Sequence, residues 1–471
     1  MPARRRFSPP TTIAAGNAGR DPLGNSSGLT AWLLPLVLGL GVAPACPAQA
    51  RAPGVAAASS GGPALRLEIG KRAGKDLRAF YAARGNRPLW IAADNLVQPA
   101  AQILLHQIEM AELDGIKPRS LKPGTLRDAL AKAAPGDVAS LARAELNASQ
   151  AYVRLVRALR KAPHAPMIYE TEALAPVVPT AMAALQRAAA AKSLAGYVQG
   201  MGWMHPFYAP LRAAMGSAQY SGEQRQVIRA NMDRVRALPP MIAGRWVMVD
   251  AASARLWMYD GGTVAGTMRV VVGKPETQTP AMAGFLRYAI VNPYWNLPDD
   301  LMPSRVTDKA LAHGPGYLAA NGYQVLAGWD DDAPVLDPGK VDWQAVAAGQ
   351  QSVRARQLPG PGNFMGAAKF MFPNAQGIYL HDTPERELLA KDARYFSNGC
   401  VRLEAAAKFG RWLLGKPLPR SRTPELRVEL PVPVPIFITY LTAMPEGGAI
   451  RFRPDVYGRD AVRQRLAVKR R

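Results

Sequence analysis

The spacing of apolar residues changes near residue 240, from a helical period to a strand-like one. Between residues 76 and 240, apolar positions recur every three or four residues, as on one face of an amphipathic helix. Predicted helices cover 76–84, 99–113, 137–160, 180–192 and 221–236. Asp137 is the predicted N-cap of the longest helix, because its carboxylate can accept from the first free backbone N–H groups. Residues 76–240 are therefore predicted to form an α-helical scaffold domain.

After residue 240, short stretches alternate between apolar and polar residues, which is typical of β-strands. Strands are predicted over 245–249, 255–259, 266–272, 285–293, 369–372, 432–441 and 449–453, and one helix over 404–414. Residues 309–361 have no strong period and are rich in glycine, proline and aspartate. So long a segment between strands is usually a lid or a small inserted subdomain. The fold class is thus α+β, with a β-rich domain over 241–445 and a C-terminal strand and basic tail over 446–471.

The N-terminal residues have the composition of an export signal rather than of a folded element. Three arginines at positions 4–6 precede an apolar stretch over 29–42, and Ala48-Gln49-Ala50 suits cleavage after Ala50. The apolar stretch is too short to span a bilayer comfortably. The alternatives are an uncleaved inner-membrane anchor, the twin-arginine route, and a lipoprotein signal that fits poorly. Residues 51–75 are rich in Ala, Gly, Pro and Ser and are predicted to be a flexible linker.

The charge indicates an anionic environment. The whole chain carries a formal net charge of +23, and residues 1–50 contain four arginines and one aspartate, a net of three positive charges. Cleavage would therefore leave +20. Such an excess suits a cell-wall polymer, a membrane surface or nucleic acid, and export argues against nucleic acid. The predicted location is the periplasm.

One cysteine remains after the predicted cleavage. The chain has two, and Cys46 leaves with the signal, so Cys400 is the sole thiol of the mature protein. His381 closes an apolar run nineteen residues earlier. A free thiol is only a few per cent thiolate at neutral pH, and a nearby imidazole corrects this, so the pair indicates nucleophilic catalysis. An inert buried cysteine is the alternative; a zinc site is disfavoured because one Cys and one His supply half of the usual ligands.

The turn that contains the cysteine offers further groups for chemistry. Ser397-Asn398-Gly399-Cys400 presents successive backbone N–H groups that can stabilise an oxyanion, and Gly399 lets a carbonyl approach closely because it lacks a Cβ. Arg402 shares the strand parity of Cys400 and could bind a substrate carboxylate bidentately. The alternative for Arg402 is an ion pair, for which three acidic residues are candidates: Asp382, Glu404 and Asp392.

The spacing of His381 and Ser-Asn-Gly-Cys-Val-Arg-Leu resembles the signature of the L,D-transpeptidases with a YkuD-type catalytic domain. The order of segments also resembles the large periplasmic branch typified by YcbB. The matching stretches are 81–90 (YAARGNRPLW), 269–280 (RVVVGKPETQTP), 292–298 (NPYWNLP), 369–374 (KFMFPN), 380–384 (LHDTP) and 438–442 (ITYLT). The resemblance covers most of residues 76–460.

The resemblance implies an enzyme that needs no metal or cofactor and is acylated by carbapenems. In such an enzyme Cys400 attacks the third residue of a peptidoglycan stem peptide, and the terminal D-Ala leaves. A second stem then completes a 3–3 cross-link. The resemblance assigns His381 as base, the Gly399 and Cys400 amides as oxyanion donors, and Arg402 as a site residue. It equates 309–361 with a substrate-capping subdomain, and implies stem peptides, the anionic cell wall and other cell-wall enzymes as partners.

The sequence departs from the family pattern in two places. The widespread pattern has histidine where this chain has Asn398, which puts the rate or the acyl acceptor in question. The large branch usually inserts a peptidoglycan-binding module before the catalytic domain, and here only about 35 residues separate the region of Trp203 from Trp246. Two alternatives to a transpeptidase therefore stay open. One is an L,D-carboxypeptidase or wall-detaching hydrolase on the same scaffold, and the other is a non-catalytic wall-binding protein.

Overall fold

The computed structural model describes residues 62–161, 167–240, 242–328, 330 and 333–460. The predicted signal over 1–50, most of the predicted linker and the last eleven residues of the basic tail lie outside this part of the chain. Among the described residues, no helix is both long and apolar enough to cross a membrane.

The N-terminal part is a bundle of helices around one long central helix. The helices are α1 (Pro63–Arg72), α2 (Lys75–Ala83), α3 (Pro99–Glu109), α4 (Pro123–Ala131), α5 (Val138–Arg160), α6 (Ala181–Ala189), α7 (Leu194–Gln199), α8 (Tyr208–Gly216) and α9 (Gly222–Arg236). Asp137 caps α5 as predicted, and its Oδ1 accepts from Ala139 N at 2.9 Å and Ser140 N at 3.2 Å. The helical domain expected from the periodicity is confirmed.

A buried carboxylate on α5 binds the backbone of residues 89–91, which follow α2. Glu145 is fully buried and accepts backbone N–H bonds from Leu89, Trp90 and Ile91 at 2.6–3.1 Å. The Tyr81 hydroxyl donates to the same carboxylate at 2.6 Å. These four bonds compensate for the loss of hydration that burial of a carboxylate entails, and they fix the turn over residues 89–91.

The prediction of a flexible linker over 51–75 is wrong for its last part. α1 occupies residues 63–72, and Leu65 and Ile69, one helical turn apart, are buried among the residues of the helical core. The helix begins with Pro63, a residue whose fixed φ suits the first turn. Because the residues around Leu65 and Ile69 are rich in Ala and Gly, the sequence pattern did not predict this helix.

The β-rich part of the chain contains a closed sheet. The strands of the whole chain are β1 (Ile168–Tyr169), β2 (Arg245–Asp250), β3 (Arg255–Asp260), β4 (Thr263–Gly273), β5 (Met282–Val291), β6 (Trp295–Asn296), β7 (Tyr323–Leu326), β8 (Val335–Leu336), β9 (Arg354–Gln357), β10 (Ala368–Met371), β11 (Leu380–His381), β12 (Tyr395–Ser397), β13 (Val401–Leu403), β14 (Leu426–Thr439), β15 (Ala443–Glu446) and β16 (Ala449–Phe452). The order β5-β10-β11-β13-β4-β3-β2-β14 closes because β14 also pairs with β5. β12 pairs with β4, and β1 of the helical part adds to β5.

The sheet buries its two faces against different neighbours. Alternate residues of β10, β11 and β13, among them Phe370, Leu380 and Val401, join a core that includes Phe409 and Leu413 of α14 (Ala406–Leu414). On the other side of the ring, Trp246 of β2 and Phe437 of β14 form a second cluster with residues of the helical part. The side chains of β10, β11 and β13 that alternate with these core residues lie on the opposite face of the sheet.

A small subdomain interrupts the chain between β5 and β10. Its sheet has the order β6-β9-β7-β8, and it also contains the three short helices α10 (Asp308–His313), α11 (Gly316–Ala320) and α12 (Trp343–Ala347). Its core runs from Trp295 to Met365. The inserted subdomain is thus larger at both ends than the predicted 309–361, because its core also includes Trp295 and Met302 before this segment and Met365 after it.

The C-terminal segment returns to the helical part. The hairpin of β15 and β16 places Ala443 and Met444 in the helical core, and Ile450 and Phe452 pack against it. Asn231 of α9 donates to Thr442 Oγ1 at 2.8 Å just before the hairpin. Within 446–460, Ile450 and Phe452 pack against the helical core, whereas Tyr457 is buried in the core of the closed sheet. The strand predicted over 449–453 corresponds to β16.

Candidate active site

Three neighbouring strands align a lysine, a histidine and an arginine in one row. β10 pairs antiparallel with β11, which places Lys369 opposite His381, and β11 pairs parallel with β13, which places His381 beside Arg402. Because side chains alternate along a strand, these three project from the face opposite the core. Tyr379 and Cys400 directly precede β11 and β13, two residues before His381 and Arg402, so the same alternation places them on this face. The sheet register thus brings the predicted histidine and cysteine together.

His381 is buried and electrically neutral. Its side chain is 2% exposed, and Nδ1 lies 2.6 Å from the Asp382 carbonyl oxygen. A carbonyl only accepts, so Nδ1 carries the proton, and a backbone hydrogen bond with Phe364 also favours the protonated ring and raises the pKa of His381. Burial, followed by the positive charges of Arg402 and Lys369, lowers the pKa of His381 to about 3. The histidine therefore offers a base, and the Asp382 carbonyl fixes its tautomer.

The Cys400 thiol is protonated at rest. Its Sγ lies 3.7 Å from the Gly377 carbonyl oxygen, and the Tyr379 hydroxyl also interacts with it. Burial raises the pKa of Cys400 to about 11, although the hydrogen bonds from Tyr379 and the charge of Arg402 pull it down. A pKa near 11 beside a histidine with a pKa near 3 means that the two groups do not form an ion pair before substrate binds.

The turn over 397–400 is fixed by two hydroxyl groups. Ser397 Oγ donates to the Cys400 carbonyl at 2.6 Å and accepts from Gly399 N at 3.2 Å. Thr279 Oγ1 donates to the Gly399 carbonyl at 2.7 Å and accepts from Gly273 N at 2.9 Å. Gly399 has a φ of +115°, which favours glycine. The loop after β4 therefore determines where the thiol is held.

The residues of the turn differ in which hydrogen-bonding groups they leave free for a substrate. The Gly399 N–H is already bound to Ser397 Oγ, whereas the described backbone hydrogen bonds include none donated by Cys400 N. Asn398 is exposed at the tip of the turn, and Ser397 is buried. Among the described residues the Cys400 N–H is therefore available to a ligand, and the Ser397 hydroxyl binds within the turn itself.

Arg402 forms an ion pair, with a partner other than the three predicted. Its Nη1 contacts Glu385, on the loop after β11, which folds back over the end of β13. Of the predicted partners, Asp382 binds Arg386 at 2.6 Å and Glu404 binds Arg269. Arg402 Nε is buried and has no hydrogen-bond partner among the described residues. The guanidinium therefore keeps a free donor beside His381.

The capping subdomain ends against the histidine. Ala367 N donates to Asp382 Oδ2 at 2.9 Å, and Gly366 packs so closely on Asp382 that a Cβ would lie 2.5 Å from its carboxylate. Phe364 and Tyr379 pack against the core of the subdomain. The rings of Tyr379 and His381 are 5.7 Å apart. The subdomain thus contacts Tyr379 and Asp382, the residues on either side of β11.

Four residues of this site were not predicted from the sequence. They are Lys369, Tyr379, Thr279 and Asp382, whose backbone carbonyl binds His381. A signal existed for Tyr379, because it precedes His381 by two residues and shares its strand parity. Lys369 and Thr279 reach the site through pairing between distant strands, which the sequence does not specify. Among the described residues, no group of three or more His, Cys, Asp or Glu could hold a metal ion.

Replacing Thr279 by valine is expected to lower the free energy of unfolding by about 1–3 kcal/mol, because the buried Gly399 carbonyl and Gly273 N–H lose a partner. Thr279→Ser keeps the hydroxyl and is the matched control, with a free energy close to that of the parent protein. Urea denaturation measures both. Equal stability of the valine and serine variants would contradict the role of this hydroxyl.

Two models of known protein families match this chain. The model of the L,D-transpeptidase catalytic domain, YkuD, matches residues 244–436, and that of the scaffold domain matches residues 75–215. The chain carries a YkuD-family L,D-transpeptidase catalytic domain. The α+β class, with a helical scaffold before a β-rich YkuD domain, is therefore confirmed.

Individual relatives are similar over part of their length. A putative L,D-transpeptidase of Haemophilus influenzae is 33% identical over 248 residues, which are 50% of this chain and 48% of the relative. The chain thus aligns with about half the length of this curated relative. The structure of the Ldtfm–avibactam carbamoyl enzyme matches 43% of this chain and 51% of its own, with 15% identity and a TM-score of 0.22. An L,D-transpeptidase from Mycobacterium smegmatis matches 42% and 59%, with 13% identity and a TM-score of 0.21.

Proposed function

We propose that this YkuD-family protein is a peptidoglycan L,D-transpeptidase in which Cys400 is the nucleophile and His381 the base. The observation that carries the proposal is the parallel pairing of β11 with β13, which sets His381 beside Arg402, two residues after Cys400, so that the imidazole and the thiol share one face. The family match of the surrounding domain supports the substrate class, a tetrapeptide stem of peptidoglycan.

The first half-reaction forms a thioester. As the carbonyl of the third stem residue reaches Sγ, the thiol proton moves to His381 Nε2 and the sulfur attacks the carbonyl carbon. The Cys400 N–H stabilises the oxyanion that forms. Collapse of this tetrahedral species breaks the peptide bond, and His381 returns the proton to the departing D-Ala amine. Because thiol and imidazole are both neutral at rest, proton transfer accompanies attack and does not precede it.

The second half-reaction passes the acyl group to an amine. The side-chain amine of a second stem attacks the thioester carbon, His381 accepts a proton from that amine, and the sulfur leaves and is reprotonated. The product is a 3–3 cross-link. Asn398, which is exposed beside Cys400, is available to contact the acceptor. If water replaced the amine, the same acyl-enzyme would give an L,D-carboxypeptidase or a wall-detaching hydrolase.

The first test is covalent labelling of the thiol. Mature protein incubated with a carbapenem should gain the mass of one inhibitor, and Cys400→Ala should gain none. Cys400→Ala changes little volume, so matched melting temperatures would show that the variant is folded. An intact, folded protein with no mass shift would overturn the enzymatic proposal and favour a wall-binding role.

The acyl acceptor is tested with disaccharide tetrapeptides as the sole substrate. Dimers of a tetrapeptide and a tripeptide, identified by mass, are the products expected of a transpeptidase. Free tripeptide without dimers would replace the transpeptidase by the carboxypeptidase. The same reaction with Cys400→Ala controls for spontaneous hydrolysis.

We also propose that the protein works in the periplasm, in contact with the anionic wall. The arginines, apolar stretch and small residues of 1–50 support export, and the positive charge supports binding to a polyanion. Protein recovered from the periplasmic fraction should begin at Arg51. An intact residue 1 in the inner-membrane fraction would favour the uncleaved anchor.

A further inference from the structure

Two cations flank His381 on neighbouring strands. Strands in a sheet lie about 4.8 Å apart, so Lys369 and Arg402 stand on either side of the histidine in one row. Both side chains are largely buried, with 12% and 14% of their surface exposed. Buried cations are costly unless they have anionic partners. Their placement beside the reactive groups therefore calls for a reason.

Each cation has a protein carboxylate as partner and still has donors to spare. Lys369 Nζ lies 3.1 Å from Glu425 Oε1 and 3.5 Å from the Tyr294 carbonyl, which uses two of its three N–H groups. Arg402 contacts Glu385 through Nη1, while its buried Nε has no partner among the described residues. Each cation could thus hold one bound carboxylate without displacing its glutamate.

We propose that Lys369 and Arg402 form a two-point carboxylate site that selects donor peptides with a free C-terminal carboxylate and a free side-chain carboxylate on the third residue. The proposal rests on the function proposed above, because it takes the donor to be a stem peptide. Arg402, on the same strand as Cys400, binds the carboxylate of the departing D-Ala. Lys369, on the other side of His381, binds the side-chain carboxylate of the attacked diaminopimelate. The scissile carbonyl then lies between them, at the thiol.

Occupation of this site would also serve the chemistry. The charges of Arg402 and Lys369 both disfavour the protonated form of His381. Two substrate carboxylates would offset these charges at the moment when the imidazole must accept the thiol proton. An acidic donor would therefore be favoured twice, in binding and in proton transfer.

Binding is measured without turnover, in the Cys400→Ala background, by calorimetry. The probe is L-Ala-γ-D-Glu-meso-diaminopimelyl-D-Ala, with its diaminopimelate side-chain carboxylate either free or amidated. The free acid should bind at least about tenfold more tightly, in line with a charge-assisted hydrogen bond. Adding Lys369→Gln should bring the two affinities together, by weakening the free acid alone, and Lys369→Arg should keep the preference. Lys416→Gln, at an exposed lysine, is the matched control.

Equal binding of the two peptides to Cys400→Ala, or no measurable binding of either, would overturn the two-point site. So would a Lys369→Gln variant that weakens both peptides equally, since that result points to a structural ion pair with Glu425. The proposed function is judged separately, with Cys400 intact. Selective binding without thioester formation would contradict the proposed enzymatic function and support the carboxylate site. Turnover of both donors at equal rates would support the enzymatic function and contradict the carboxylate site.

Discussion

Replacing His381 by glutamine is expected to lower the rate of carbapenem acylation at neutral pH by about 10²–10⁴, the usual contribution of a positioned general base. Glutamine is similar in size but accepts no proton from the thiol. With a Cys400 pKa of about 11, little thiolate forms unaided. The rate of the variant should therefore rise about tenfold per pH unit until pH reaches about 11, because hydroxide must then remove the thiol proton.

The matched control is His106→Gln, at an exposed histidine of α3, which should leave the acylation rate unchanged. Rates are read as the growth of the adduct mass with time. A His381→Gln variant that acylates as fast as the parent protein at pH 7 would show that another group accepts the thiol proton.

Acidification is expected to destabilise the fold through two buried histidines. His205 packs between Phe207 and Trp246, its Nδ1 accepts from Phe207 N at 3.2 Å, and burial lowers its pKa to about 3. His381 has a similarly lowered pKa. Between about pH 6.5 and 3 the unfolded chain therefore binds more protons at these sites than the folded one. Their contribution to stability is full above pH 6.5 and falls as the pH drops toward 3.

The size of this loss of stability follows from the lowered pKa of each histidine. At pH 5, about 1.5 units below the ordinary pKa, each histidine should cost about 2 kcal/mol of unfolding free energy. Urea denaturation at pH 7.5 and pH 5 measures this, and His205→Gln should remove about half of it. Burial raises the pKa of Glu145 and Asp250, which acts in the opposite sense. The test is thus the difference between parent and variant, and an equal loss in both would contradict it.

The sequence predicted the local elements well because their signals are local. The N-cap Asp137 and the alternation in β2 and β3 need only neighbouring residues to be recognised. The closure of the sheet through β5 and β14 is different, since it depends on pairing between residues more than a hundred positions apart. The helix α1 escaped notice because only two of its residues are buried.

The same distinction applies to the site. His381 and Cys400 were found from their spacing and chemical type, and the register of β11 and β13 places them as neighbours. The proton on Nδ1, by contrast, depends on the direction of one backbone carbonyl, that of Asp382. The partner of Arg402 was mispredicted because Glu385 is brought near by a loop that folds back, and spacing alone gives no sign of such a fold.

The hairpin of β15 and β16 has a consequence for how the protein can be dissected. Because Ala443 and Met444 complete the core of helices that begin at Pro63, the chain leaves the helical part once and re-enters it after the whole catalytic part. A fragment ending at residue 240 would expose the surface that this hairpin covers. An independently stable helical fragment would need residues 441–452 joined to it by a short engineered linker that replaces the closed sheet and the inserted subdomain.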